Sequence, residues 1–199
     1  MTDPLEQIFG SLPLMAILRN QTKERAVELA ITAWDLGIEC VEIPLQSDED
    51  LRGLRAVAAL GRERGITVGA GTIIDPAQIA VAVDAGAGFL ISPGIDPVVV
   101  RAAQAAGIPI VPGVATPSDI QLAVSLGLTW VKAFPAQWLG VEWFRHMRGP
   151  FPQVRFVATG GMDAENAGTF LAGGARVVAV GSALEDPQQL PRLASLLAR

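Results

Sequence analysis

Residues 67–136 read TVGAGTIIDPAQIAVAVDAGAGFLISPGIDPVVVRAAQAAGIPIVPGVATPSDIQLAVSLGLTWVKAFPA, and this stretch decides the fold. Four short β-like runs, TVGAGT (67–72), FLISPG (89–94), PIVPGVA (109–115) and TWVKAFPA (129–136), alternate with three helix-period segments. Each helix opens on a capping oxygen followed by proline: Asp75-Pro76, Asp96-Pro97 and Thr116-Pro117. Each closes on a glycine, at Gly86, Gly107 and Gly127. Strict alternation of this kind demands parallel strands joined by crossover helices.

Working outward, the same unit recurs at roughly 20 to 25 residues per repeat. Earlier strands are read at PLMAILR (13–19) and IECVEIPL (38–45), later ones at RFVATGG (155–161) and VVAVGSAL (177–184). TKERAVELAITAWDLG supplies an early helix, and DAENAGTFLAGGA a late one that should close at Gly173. Eight units without a long linker predict a compact α/β fold, a (β/α)8 TIM barrel forming a single domain over residues 1–199. An open doubly wound sheet is the competing architecture, but it calls for a Gly-rich dinucleotide fingerprint after the first strand, where none occurs.

Composition bounds the function. The chain has 199 residues, 50% hydrophobic, with a net charge of −5 and no basic block, which argues against nucleic acid or an anionic membrane as a main partner. No apolar run reaches the roughly 18 residues of a membrane span. The start, MTDPLEQIFGSLPL, lacks the basic and apolar regions of a secretory signal. Cys40, the single cysteine, leaves no internal disulfide and suits a reducing compartment. A cytoplasmic protein is expected. His146, the single histidine, reads as a surface residue without metal partners, and no metal site is expected. Trp34, Trp130, Trp138 and Trp143 read as core or interface aromatics.

The chemistry starts from lysine, used twice in a chain whose ordinary cation is arginine. Lys23 lies in a polar helix start; Lys132 lies inside an apolar strand. In a small barrel alternate strand residues face the interior. Val41, Ile43 and Leu45 suit the helix layer, so Glu42 points inward; Lys132 shares a face with Trp130 and Phe134, and Arg19 one with Met15 and Ile17. An inward charge at a strand end is costly unless paired or used. A structural Glu42–Lys132 ion pair is the bland reading. The functional one is a desolvated amine able to attack a ketone as a nucleophile, with Glu42 moving a proton nearby without being locked onto it.

ATGGM (158–162) and VGSAL (180–184) end the last two strands with Gly160, Gly161, Gly181 and Ser182. Such loops form a phosphate cradle in many barrels, although glycines also serve plain tight turns. GAGT (69–72) places Thr72 at the same rim, either for a substrate carboxylate or merely to cap the next helix.

These residues resemble the 2-keto-3-deoxy-6-phosphogluconate (KDPG) aldolase family, which includes phosphogalactonate aldolases and enzymes acting on 4-hydroxy-2-oxoglutarate. The likeness spans AILR (16–19), VEIPLQS (41–47), GAGT (69–72), ISPG (91–94), VPGVAT (111–116), VKAFPA (131–136), GPFPQVRF (149–156), TGG (159–161) and GS (181–182). It implies a class I, pyruvate-forming aldolase that needs no cofactor or metal, takes a phosphorylated keto acid and assembles as a homotrimer. It implies Lys132 as the Schiff-base lysine and Glu42 as the proton carrier. Arg19 and Thr72 would hold the keto-acid end, and Gly160, Gly161, Gly181 and Ser182 the phosphate. One departure bears on substrate: phosphogluconate-type members carry an arginine after the Glu-x-Thr-Leu run, where this chain has Gln46. IPLQS resembles the galactonate pattern, whereas GPFPQVRF and TGG resemble the gluconate one. A phosphosugar isomerase or epimerase using Glu42 alone, and a non-catalytic phosphometabolite-binding protein, are the competing functions.

Overall fold

The structure is a computed structural model that describes residues 3–10 and 12–197. Met1, Thr2 and Ser11, part of the amino-terminal signal reading, lie outside the described residues, as do Ala198 and Arg199 of the 1–199 domain span. The strands are β1 (Leu14–Ile17), β2 (Cys40–Pro44), β3 (Val68–Gly71), β4 (Phe89–Ile91), β5 (Ile110–Val111), β6 (Gly113–Val114), β7 (Trp130–Ala133), β8 (Arg155–Thr159) and β9 (Val177–Val180). All pair in parallel, in the order β5-β4-β3-β2-β1-β9-β8-β7-β6.

The two ends of that order are halves of one strand. Pro112 has no N–H to give, so the ladder breaks there and the fifth strand divides into β5 and β6. Its carbonyl still accepts from the Lys132 N–H at 2.8 Å, while Val111 and Gly94 carbonyls accept from Ser92 and Gly113 on the other side. The chain itself therefore closes the sheet, and the expected eight-stranded barrel is present with its fifth strand written in two pieces.

Around it run α2 (Lys23–Leu36), α3 (Asp48–Arg64), α4 (Ala77–Asp84), α5 (Pro97–Ala105), α6 (Pro117–Ser125), α8 (Val141–Arg148), α9 (Ala167–Gly173) and α10 (Leu190–Leu197), with α1 (Pro4–Phe9) and α7 (Ala136–Leu139) as short additions. Thr116 and Asp119 form a reciprocal capping box on α6, and Asp96 caps α5. At the third proline site the helix begins one residue later than read, at Ala77, whose N–H donates to Asp75 at 2.8 Å. The late helix also differs: Gly173 is its last helical residue, and Gly174 (φ +118°) takes the left-handed turn. A Cβ on Gly173 would meet Val141 Cγ1 at 2.3 Å, so glycine is required there by close packing of α8 on α9.

Two apolar layers follow from strand alternation. Val41, Ile43, Val131 and Val178 face the helices in the larger core; Met15, Cys40, Phe89, Val111, Trp130 and Val157 fill the barrel. Helix α1 lies across the amino-terminal ends of the strands and pushes Leu5 and Phe9 into that inner core. The Phe9 ring sits 5.4 Å from Phe89 and 5.1 Å from Trp130, closing the barrel floor. Trp138, by contrast, is 85% exposed, so within this chain it is not a core aromatic. Among the described residues no helix is long and apolar enough to cross a membrane.

Candidate active site

The strand parity that builds the inner core also aims Glu42, Lys132 and Thr159 inward at the carboxyl-terminal half of the barrel. Register places Ile17 beside Glu42, Glu42 beside Gly69, and Lys132 between Gly113 and Val157. Room for Glu42 comes from Gly71, which stands opposite Pro44, two residues further along β3 than the Glu42 register partner Gly69. A Cβ on Gly71 would lie 1.6 Å from Glu42 Oε1, so the carboxylate fills the space that this glycine leaves.

Glu42 is fully buried, and neither carboxylate oxygen has a hydrogen-bond partner among the described residues. Burial pushes its pKa above the usual carboxylate range, against the opposing pull of Lys132 and Arg19. Lys132 is 4% exposed, and burial pushes its pKa down. The Glu42 charge opposes that shift and Arg19 reinforces it. The two groups feel each other without ion-pair contact, since no Nζ–O approach falls within 4.0 Å. The Lys132 Nζ instead lies 5.0 Å from the centre of the Phe134 ring. A lysine desolvated but not neutralised by a tight partner is what imine chemistry needs.

Above these groups a cavity of about 370 Å³ opens at the carboxyl-terminal ends of the strands. Lys132, Arg19, Gly160, Gly161, Gly181 and Ser182 all line it. Gly160 and Gly161 both take positive φ, at +93° and +76°, and a Cβ on Gly161 would strike the Gln137 side chain at 2.0 Å. Ser182 begins a single 3-10 turn, Ser182–Leu184. Glycine turns from two adjacent strand ends and a short helix start thus share one wall, the arrangement that binds phosphate in many barrels.

Glu42 lies beneath this cavity rather than on its wall, and Thr72 stands to one side. The link to Thr72 runs through Arg19: its Nη1 donates to the Gln46 side-chain oxygen, and its Nη2 reaches Thr72 Oγ1 at 3.5 Å. Gln46 is itself held at the amino end of α3, its N–H donating to Asp50 at 3.1 Å. Thr72 adopts φ +58°, a costly conformation for a β-branched residue, so the turn after β3 is held by its surroundings.

Three further lining residues bear on the chemistry: Thr159, Phe134 and Glu185. Thr159 is 1% exposed and its Oγ1 has no partner among the described residues. It shares the inward parity of Val157, so the alternation that found Lys132 reaches it too. Phe134 continues the Lys132 face. Glu185 lies beyond the last strand, where no periodicity signals it. His146 is exposed on α8, away from the cavity.

Comparison with known proteins gives a consistent answer. Residues 5–194 match the family model described as "KDPG and KHG aldolase". The KHG/KDPG aldolase of Escherichia coli K12 is 36% identical over 168 residues, covering 84% of this chain and 78% of that protein. A probable 2-dehydro-3-deoxy-6-phosphogalactonate aldolase of Rhizobium meliloti is 32% identical over 88% of this chain and 82% of its own. Among solved structures, the KDPG aldolase of Legionella pneumophila superposes with a TM-score of 0.84 at 30% identity, covering 98% of this chain and 95% of that one. In that crystal, pyruvate was captured as a covalent carbinolamine.

Proposed function

The chain belongs to the KDPG and KHG aldolase family, and on that premise we propose that it cleaves 2-keto-3-deoxy-6-phospho-gluconate or -galactonate by Schiff-base chemistry on Lys132. The observation that carries the reading is a buried lysine of lowered pKa, free of ion-pair contact, opening onto a cavity with a buried carboxylate beneath it.

The neutral Lys132 amine adds to C2 of the keto acid to form a carbinolamine, which loses water to give the cationic imine. Glu42, assisted by a water molecule, takes the proton from the C4 hydroxyl. The C3–C4 electrons flow into the imine, releasing glyceraldehyde 3-phosphate and leaving an enamine. Protonation at C3 and hydrolysis return pyruvate and the free amine. Arg19, steadied by Gln46 and Thr72, holds the substrate carboxylate, and the Gly160, Gly161, Gly181 and Ser182 wall takes the phosphate. The same steps would cleave 4-hydroxy-2-oxoglutarate to pyruvate and glyoxylate.

Borohydride reduction in the presence of pyruvate should fix a three-carbon adduct on Lys132, read by peptide mass spectrometry. An adduct on Lys23, or none, would remove Lys132 from this role, and turnover without any trappable imine would favour the isomerase reading instead. Lys132→Ala should lose cleavage by several orders of magnitude while keeping the wild-type circular dichroism spectrum.

The proposed setting is the cytoplasm and the proposed assembly a homotrimer. Support for self-association comes from apolar side chains left open on neighbouring elements. Ile74 and Val98 are each 64% exposed, and Val81 and Val83 on α4 are each 43% exposed.

A further inference from the structure

The cavity has an uneven charge distribution that the aldol chemistry does not explain. Its lining cations are Arg19 and Lys132, and Lys132 is committed to covalent bonding. Arg19 is drawn toward Gln46 and Thr72, on the β2–β3 side of the mouth. The glycine turns and Ser182 bring no cation to the lining, and Glu185, three residues beyond Ser182, lines the cavity with them. Glu185 is held at its backbone and at its side chain. The backbone N–H donates to the Ser182 carbonyl at 3.0 Å, keeping the residue within one turn of the hydroxyl. Its Oε1 accepts at 3.1 Å from Gln21 Nε2, which also donates to the Arg19 carbonyl at 3.1 Å.

We propose that Glu185 is a specificity-determining residue that weakens the preference for a phosphorylated substrate and lets the chain also cleave the unphosphorylated 2-keto-3-deoxy sugar acid. The inference rests on the aldolase reading above. A phosphate dianion seated against Gly160, Gly161, Gly181 and Ser182 meets a like charge on the same wall, and its binding is opposed. A terminal hydroxyl in that place meets a hydrogen-bond acceptor. The acid therefore penalises one substrate and assists the other, and the covalent steps at Lys132 are unchanged for both.

The test compares kcat/KM for the two acids in the wild type, E185Q and E185K. E185Q should raise kcat/KM for the phosphorylated acid about tenfold, chiefly through KM, and lower that for the unphosphorylated acid a fewfold. E185K should move both changes further in the same directions. The gain with phosphate should shrink as salt is raised, because exposed charges are screened beyond about 8 Å at physiological ionic strength. A ratio of the two kcat/KM values that stays within twofold of wild type in both variants, or a parallel change for both acids, overturns the role of Glu185. Pyruvate trapping on Lys132 separates the two levels: an adduct with an unmoved ratio defeats only the specificity proposal, whereas no adduct and no cleavage in the wild type defeats the aldolase reading and this inference with it.

Discussion

Lys132 and Glu42 tune each other through space, and the signs of the coupling make a prediction. Glu42 raises the Lys132 pKa and Arg19 lowers it, on top of the larger downward push from burial. Glu42→Gln should therefore shift the pH dependence of imine formation with pyruvate to lower pH, and Arg19→Gln should shift it to higher pH. The rate of borohydride trapping across pH reads both. The same Glu42→Gln enzyme should lose cleavage by about 10²- to 10⁴-fold, the usual contribution of a general acid–base group, while still forming the imine. A trapping profile that moves in neither variant would show that burial alone, and not the neighbouring charges, sets the amine's behaviour. Linkage gives the stability counterpart. The raised Glu42 pKa makes its contribution present at low pH and lost as pH rises through the folded value; the lowered Lys132 pKa makes stability fall as pH drops from the unfolded lysine value through the folded one. The inward placement of Lys132 and Glu42 was legible in the sequence because period-2 alternation decides which way a strand residue faces; Arg19, read as the end of the first strand, lies two residues beyond β1, exposed, and reaches the cavity from the loop. Glu185 and Gln46 were not legible as site partners, since loop side chains obey no period and meet only when the barrel closes.

At the scale of the element, strands and caps were read well where proline and glycine punctuate them, because those residues restrict the backbone itself. The division of the fifth strand at Pro112 was not read, although the proline was in view: hydrogen bonding on both flanks depends on neighbours far along the chain. The shift from Gly173 to Gly174 has a similar origin, in the approach of Val141. Register makes Gly71 the sharpest test of how β2 and β3 shape the site. Gly71→Ala places a methyl group where Glu42 Oε1 lies and must displace the carboxylate. Cleavage should fall roughly a hundredfold, the order expected for an ångström-scale misplacement of a reacting group. Lys132 should still be trapped with pyruvate. Cleavage at the wild-type rate would mean that the carboxylate position is not critical.

At the scale of the whole molecule, the barrel and its carboxyl-terminal mouth follow from repeating units, but the floor does not. Helix α1 has six residues, too few to reveal a period, so its burial of Leu5 and Phe9 could not be inferred from spacing. The outer surface was also outside reach, because an exposed Ile74 or Val98 looks in sequence like any other apolar residue. The proposed trimer has a direct check: light scattering should give about three times the 20.8 kDa chain mass, and charged substitutions at Ile74 and Val98 should lower it. A monomer at micromolar concentration would rule the assembly out.

The aromatic floor made by Phe9, Phe89 and Trp130 plugs the barrel at its amino-terminal end, so in the proposed reaction the carboxyl-terminal mouth would serve as both entrance and exit. With the phosphate seated on the glycine wall as proposed, the aldehyde half of a cleaved substrate would stand between the tethered three-carbon half and the exit, and the water that frees that half would arrive by the route the aldehyde vacates. The proposed sequence of departure then follows from the architecture: aldehyde, then pyruvate.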